Sequence, residues 1–187
     1  MGWYNSKKNV NEYIKMAESY DGKILIDILK KILPGGSTVL ELGMGPGKDL
    51  GLLKKYYTVT GSDISKIFLD LYKKNYPQSD LLLLDAVTIK TDRKFDCIYS
   101  NKVLYHLSKT ELKKSLKRQN TVLKKGGILL HSFWKGSKEE EKFGLKFVYY
   151  TKKELIKMIG NTFEILQIDE YGEMEDNDSV YLILKKK

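Results

Sequence analysis

The chain has 187 residues, 42% of them hydrophobic, which is enough apolar material for one sizeable core and sets the expectation of a single domain over residues 1–187. Its net charge of +9 rests on 33 basic residues, of which only Arg93 and Arg118 are arginine; arginine is the side chain suited to bidentate base and phosphate recognition, so the surplus reads as a solvated lysine-rich surface and nucleic acid is not the expected partner. A lone cysteine, Cys97, excludes an intrachain disulfide and a cysteine-built metal centre.

No apolar run reaches the ~18 residues of a membrane span, and residues 1–8 lack the apolar stretch of a secretory signal. A cytoplasmic protein without membrane contact is expected. Gly2 and Ser6 fit the short myristoylation pattern, which recurs by chance.

In chain order, Val10, Tyr13, Ile14, Ala17 and Tyr20 recur at helical spacing. Ile24 to Leu33 form a second apolar helix that Pro34-Gly35-Gly36 stops. Residues 1–36 thus precede the first strand and are expected to act as a lid. Val39, Leu40 and Leu42 then make a buried central strand running into Gly43-Met44-Gly45-Pro46-Gly47, a turn whose glycines let backbone approach a ligand.

Three glycine-loop chemistries compete for that turn. A phosphate-cradling P-loop needs four residues between its first Gly and a Gly-Lys-Ser/Thr, whereas Gly43 to Gly47 has three between and Asp49 follows Lys48. The dinucleotide fingerprint needs Gly or Ala where Lys48 stands, which leaves NAD as runner-up. Glu41-Leu42-Gly43-Met44-Gly45-Pro46-Gly47 resembles the first motif of the class I S-adenosylmethionine-dependent methyltransferases, of the small-molecule, type 11 kind. In that family the acid faces a methionyl ammonium, and a carboxylate favours that cation where it would repel a pyrophosphate.

Leu50, Leu52 and Leu53 continue as a short helix, and Thr58 to Ser62 form a second strand ending at Asp63, an acid placed to accept from ribose hydroxyls in either nucleotide reading. A helix over 67–76 stops at Pro77, and Leu81 to Leu84 is a third strand capped by Asp85-Ala86. The resemblance implies that Asp85 and Ala86 contact the adenine edge, that Ile64 packs on the ring, and that Tyr20, Met44 and Asn101 belong to the same cofactor site. Phe95 to Asn101 is strand four. Ser108 and Glu111 form a capping box that opens a helix expected to end at Lys124-Lys125-Gly126-Gly127, ahead of strand five over 128–133.

Residues 135–150 are expected to be irregular. Thr151 and Glu154 cap a last helix, and strands over 162–168 and 179–184 are joined by an acidic loop of about ten residues, too short for a parallel crossover. The resemblance therefore implies an α/β, Rossmann-like three-layer sandwich. Its seven-stranded, mostly parallel sheet has order 3-2-1-4-5-7-6, with strand 7 antiparallel and helices on both faces.

The activity implied is methyl transfer from S-adenosylmethionine to a small-molecule O, N, S or C acceptor by in-line displacement, releasing S-adenosylhomocysteine. A non-catalytic cofactor-binding subunit, or an RNA or protein methyltransferase, is the alternative. Tyr105 and His106 after strand four are the candidate catalytic residues, His131 is a weaker candidate base, and no metal is expected. Trp134, Phe147, Tyr149 and Tyr150 either roof the substrate space or fill core.

Overall fold

The computed structural model describes residues 2–19 and 22–187. Tyr20 lies outside the described residues.

Helices α1 (Lys7–Met16) and α2 (Lys23–Lys30) precede β1 (Thr38–Leu42). There follow α3 (Lys48–Leu53), β2 (Thr58–Asp63), α4 (Lys66–Asn75), β3 (Asp80–Leu83), β4 (Phe95–Asn101), α5 (Lys109–Val122) and β5 (Leu123–Trp134). The chain ends with β6 (Glu139–Lys142), β7 (Leu145–Val148), α6 (Lys152–Ile159), β8 (Phe163–Tyr171) and β9 (Ser179–Lys186).

Seven strands form one sheet of order β3-β2-β1-β4-β5-β9-β8, parallel from β3 to β5, with β9 antiparallel to both its neighbours. Once the separate β6–β7 hairpin is set aside, that is the anticipated topology with its reversed strand between β5 and β8. Alternation along β1 splits the core in two. Val39 packs with Leu25 and Leu29 of α2, Leu53 of α3 and Tyr72 of α4, while Leu40 and Leu42 pack with Leu112 and Leu116 of α5 and Leu155 of α6. Helices therefore cover both faces. No helix among the described residues is long and apolar enough to cross a membrane.

Both capping boxes are formed: Ser108 N–H donates to Glu111 Oε2 at 2.9 Å, and Thr151 N–H to Glu154 Oε2 at 3.0 Å. Two expectations need correction. Lys124 to Gly127 do not end α5; Leu123 already pairs with Phe95, and the next ladder pair is Cys97 with Ile128, so residues 124–127 bulge out of β5. Gly126 supplies the left-handed φ of +72° and Lys124 Nζ pins the bulge to Asp96 Oδ2 at 2.9 Å.

Residues 135–150 are not irregular. β6 and β7 pair antiparallel with Lys142 opposite Leu145, and the two turn residues Phe143 and Gly144 take φ of +57° and +71°. That is the two-residue turn whose twist suits a hairpin. Its signal was hidden because β6 reads Glu-Glu-Glu-Lys, with no apolar alternation.

Candidate functional site

The site lies where β1, β2 and β4 end together, the crevice at which parallel sheets bind ligands. The glycine loop between β1 and α3 is held from inside the fold: Met44 N–H donates to Ser62 O and Gly47 N–H to Met44 O, both at 2.8 Å. A Cβ on Gly43 (φ +68°) would stand 2.5 Å from Val103 Cγ1. Met44 is buried, its sulfur packed over Gly61.

Asp63 anchors the loop as well as facing the crevice. Its Oδ2 accepts from Gly45 N–H at 2.9 Å and its Oδ1 from Ser65 N–H at 2.8 Å. Burial raises its carboxyl above the usual carboxylate range, and those backbone donors oppose the shift. Asp63→Ala would orphan two backbone donors at about 1–3 kcal/mol each. Urea unfolding should show a loss of roughly 2–5 kcal/mol; an unchanged unfolding midpoint would contradict this anchoring.

Two cavities of about 350 and 470 Å³ meet at this loop. The first is walled by Asp63 and Ile64, by Leu84 to Val87 after β3, by Val103 and His106 after β4, and by Trp3, Tyr4 and Tyr13. Ile64 is 58% exposed there. Asp85 Oδ1 accepts from Val87 and Thr88 N–H at 2.7 and 2.9 Å, capping its own turn. The carbonyl of Ala86 accepts from Ser115 Oγ at 2.6 Å.

The second cavity holds Glu41, Asp49, Asn101, Tyr105, Trp134 and Glu173, and shares Tyr13, Gly43, Gly45 and Lys102 with the first. Glu41 is 4% exposed, and its Oε2 has no hydrogen-bond partner among the described residues. Burial, then the charges of Asp49 and Asp63, push its carboxyl well above the usual range. Asp49 Oδ2 accepts from Tyr99 Oη at 2.6 Å and Asn101 Nδ2 at 3.1 Å. Sequence reasoning did not single out Asp49 as a site residue; the available signal was an acid in the first turn of the helix that the glycine loop opens. Lys48, beside it, is exposed and donates to the carbonyl of Glu18.

Tyr105 and His106 fall in different cavities. His106 Nδ1 donates to Lys146 O at 2.7 Å, so Nε2 is left to accept from Tyr4 Oη at 3.5 Å. Burial lowers the His106 pKa, and burial raises that of the Tyr105 hydroxyl. His131 is fully buried in the core: Nε2 donates to Gln119 Oε1 at 2.7 Å, Nδ1 accepts from Ser100 Oγ at 2.8 Å, and burial pushes its pKa down to about 3. Trp134 faces the second cavity, Phe147 packs on His106 with centroids 5.0 Å apart, and Tyr150 is core against Phe133.

Residues 39–127 match the family model described as a methyltransferase domain. The whole fold also superposes on the 1,6-didemethyltoxoflavin-N1-methyltransferase of Burkholderia thailandensis, solved with S-adenosylhomocysteine, at a TM-score of 0.82 over 96% of this chain and 84% of that one. Residues 39–127 thus carry a methyltransferase domain, set in a fold shared with methyltransferases solved with S-adenosylhomocysteine.

At 15% identity the Burkholderia likeness concerns the fold alone, as does that to the N-methyltransferase NodS of Bradyrhizobium japonicum, with a TM-score of 0.73 and 15% identity over 97% of this chain and 98% of that one. Among curated proteins, the methyltransferase chain is 31% identical over 130 residues to a tRNA (carboxymethyluridine(34)-5-O)-methyltransferase of Arabidopsis thaliana, matching 68% of this chain and 31% of that one. A mouse protein of the same activity is 30% identical over 127 residues, matching 67% of this chain and 18% of its own length. The chain thus spans less than a third of the length of these relatives.

Proposed function

We propose that the chain transfers a methyl group from S-adenosylmethionine to a small-molecule acceptor seated in the second cavity. The observation that carries this reading is Glu41: a buried carboxylate with an orphaned oxygen, beside Asp49, next to a loop built from glycines, suits a cationic amino-acid group rather than a phosphate. When bound, the cofactor supplies an already activated methyl, so the chain's task is to position the acceptor and exclude water.

In this reading Glu41 and Asp49 receive the methionyl ammonium. Gly43, Gly45 and Gly47 admit the cofactor's backbone-hugging chain. Asp63 takes the ribose hydroxyls with the lone pairs left after binding Gly45 and Ser65. Ile64 covers the adenine; Asp85 contributes through Oδ2, since Oδ1 is spent on its turn. Ala86 is held by Ser115, and Asn101 sets the position of Asp49. Of residues 1–36, the segment through α1 acts as a lid over the first cavity while α2 belongs to the core of a single cytoplasmic domain, and His106 and Tyr105 would shape the first and second cavities respectively.

Calorimetric titration with S-adenosylmethionine, S-adenosylhomocysteine and NAD tests the reading. Micromolar affinity for the first two, with none for NAD, is the expected result; binding of NAD alone would overturn the role given to Glu41. A second reading, an RNA-borne uridine as acceptor, is favoured by the two tRNA-modifying relatives and the net charge of +9. It requires tRNA affinity that falls steeply with salt as counterions are released.

A further inference from the structure

Lys102 is a buried cation that the reading above does not use. It follows Asn101 at the end of β4 with φ of +50°, a conformation costly for a side chain of its size and typically retained at working sites. Its ammonium pairs with Glu173 and hydrogen-bonds Ser179 Oγ at 2.8 Å and Tyr171 Oη at 3.2 Å, while standing 3.8 Å from the centre of the Trp134 ring. The two charged side chains are only 10% and 12% exposed. Among the described residues lining the two cavities, Lys48 and Lys102 are the only lysines or arginines, and Lys48 turns out to Glu18. An anion entering the second cavity therefore has one buried cation to meet.

Glu173 reaches that cation from the connection over 172–178, shorter than the expected ten residues. Asp178 pins this loop by accepting from the N–H groups of Glu173, Met174 and Glu175 at 2.9, 3.0 and 3.0 Å. The residue after Glu173, Met174, is 80% exposed at the edge of the same cavity. A carboxylate on a surface loop thus dips inward to occupy the cation that the sheet presents.

We propose that Lys102 is the acceptor-anchoring residue, that Glu173 is its internal placeholder, and that the acceptor accordingly carries a carboxylate. Exchange of one carboxylate for another keeps the buried ammonium paired throughout, which avoids the cost of an uncompensated charge. The inference rests on the methyl-transfer reading. A carboxylate oxygen attacks the sulfonium methyl; the new O–C bond forms as the C–S bond breaks, its electron pair stays on sulfur, and no proton has to move. Consistent with that economy, no imidazole lines the second cavity among the described residues.

The test uses the full chain with methyl-labelled S-adenosylmethionine and two carboxylate probes, phenylacetate and the nucleoside 5-carboxymethyluridine, against phenylacetamide and uridine. Label released by mild alkali marks a methyl ester. The expected result is ester from a carboxylate probe and no label on the carboxylate-free pair. Lys102→Met should lower the rate roughly tenfold or more, the scale of a lost charge-assisted bond, with cofactor affinity unchanged. Glu173→Gln should reduce the acceptor concentration needed for half-maximal rate. The double variant K102M/E173Q, which leaves no lone buried charge, is the folded control for the lysine change.

Labelling of the carboxylate-free probes at an equal rate, or full activity in Lys102→Met, would overturn the proposal. So would tight cofactor binding with no ester and no phenylacetate-induced change in Trp134 fluorescence in a Trp3→Phe, Glu173→Gln chain. Failure to bind S-adenosylmethionine at all would instead bring down the methyl-transfer reading, and this proposal with it.

Discussion

Replacing Glu41 with glutamine is expected to stabilise the cofactor-free chain while weakening its hold on S-adenosylmethionine. Burial among Asp49 and Asp63 raises the folded-state pKa of Glu41 above its usual value of 4.5. Near and below that value both folded and unfolded chains carry the proton, and the site costs nothing. As pH rises above it the unfolded chain ionises freely and the folded one does so only at a cost, so this residue's contribution to stability falls with rising pH. Glutamine escapes that fall. At about pH 8 urea unfolding should find Glu41→Gln more stable by roughly 1–3 kcal/mol, with the gap closing towards pH 4.5. Its cofactor affinity should drop by ~10-fold or more through loss of the charge facing the ammonium. A variant less stable than wild type at every pH would show that Glu41 is structural rather than held in strain for a ligand.

Gly47→Ala should be among the most damaging single-methyl changes in the chain. Gly47 precedes α3 with φ of +83°, and a Cβ there would stand 2.3 and 2.4 Å from two atoms of the Tyr72 ring, which is itself buried under the sheet. Left-handed backbone costs a non-glycine residue ~1–2 kcal/mol and overpacking a further ~1–3, for a total of about 2–5 kcal/mol in unfolding free energy. Gly51, one turn into the same helix, is the internal control. A Cβ there meets nothing within 4 Å, and Ala should stabilise by roughly 0.5–1 kcal/mol through helix propensity. Equal effects at the two positions would refute the steric account of the loop.

What the sequence made legible follows from where its signals are local. β1 reads as a buried strand from Val39, Leu40 and Leu42 because both its faces are covered, and each capping box is spelled out within four residues. The antiparallel end of the sheet was legible from the length of one loop. The β6–β7 hairpin was not, because its strands are charged and its turn depends on Phe143, 81% exposed, accepting a left-handed φ. The candidate site divides the same way. Glu41, Gly43, Gly45, Asp63 and Asp85 were visible as strand ends, but the reach of Lys102 across 71 residues to Glu173 is a product of topology. The location of His131 also needed the fold, since alternation alone could turn either it or Ser132 inward, and both prove fully buried.

Ser65 joins two parts of the molecule that the chain keeps far apart. Its N–H is spent on Asp63, which lines the first cavity, and its hydroxyl donates to the carbonyl of Tyr4 at 2.7 Å. Tyr4 in turn packs edge-on to Trp3 and Tyr13 and tilts against Phe68, so that hydroxyl, with Asn9 Nδ2 on Trp3 O at 3.0 Å and Tyr4 Oη on His106, ties down the rings lining that cavity. Opening that cavity would have to break the Ser65–Tyr4 hydrogen bond and part those ring contacts together, a local unfolding step rather than the turn of one side chain.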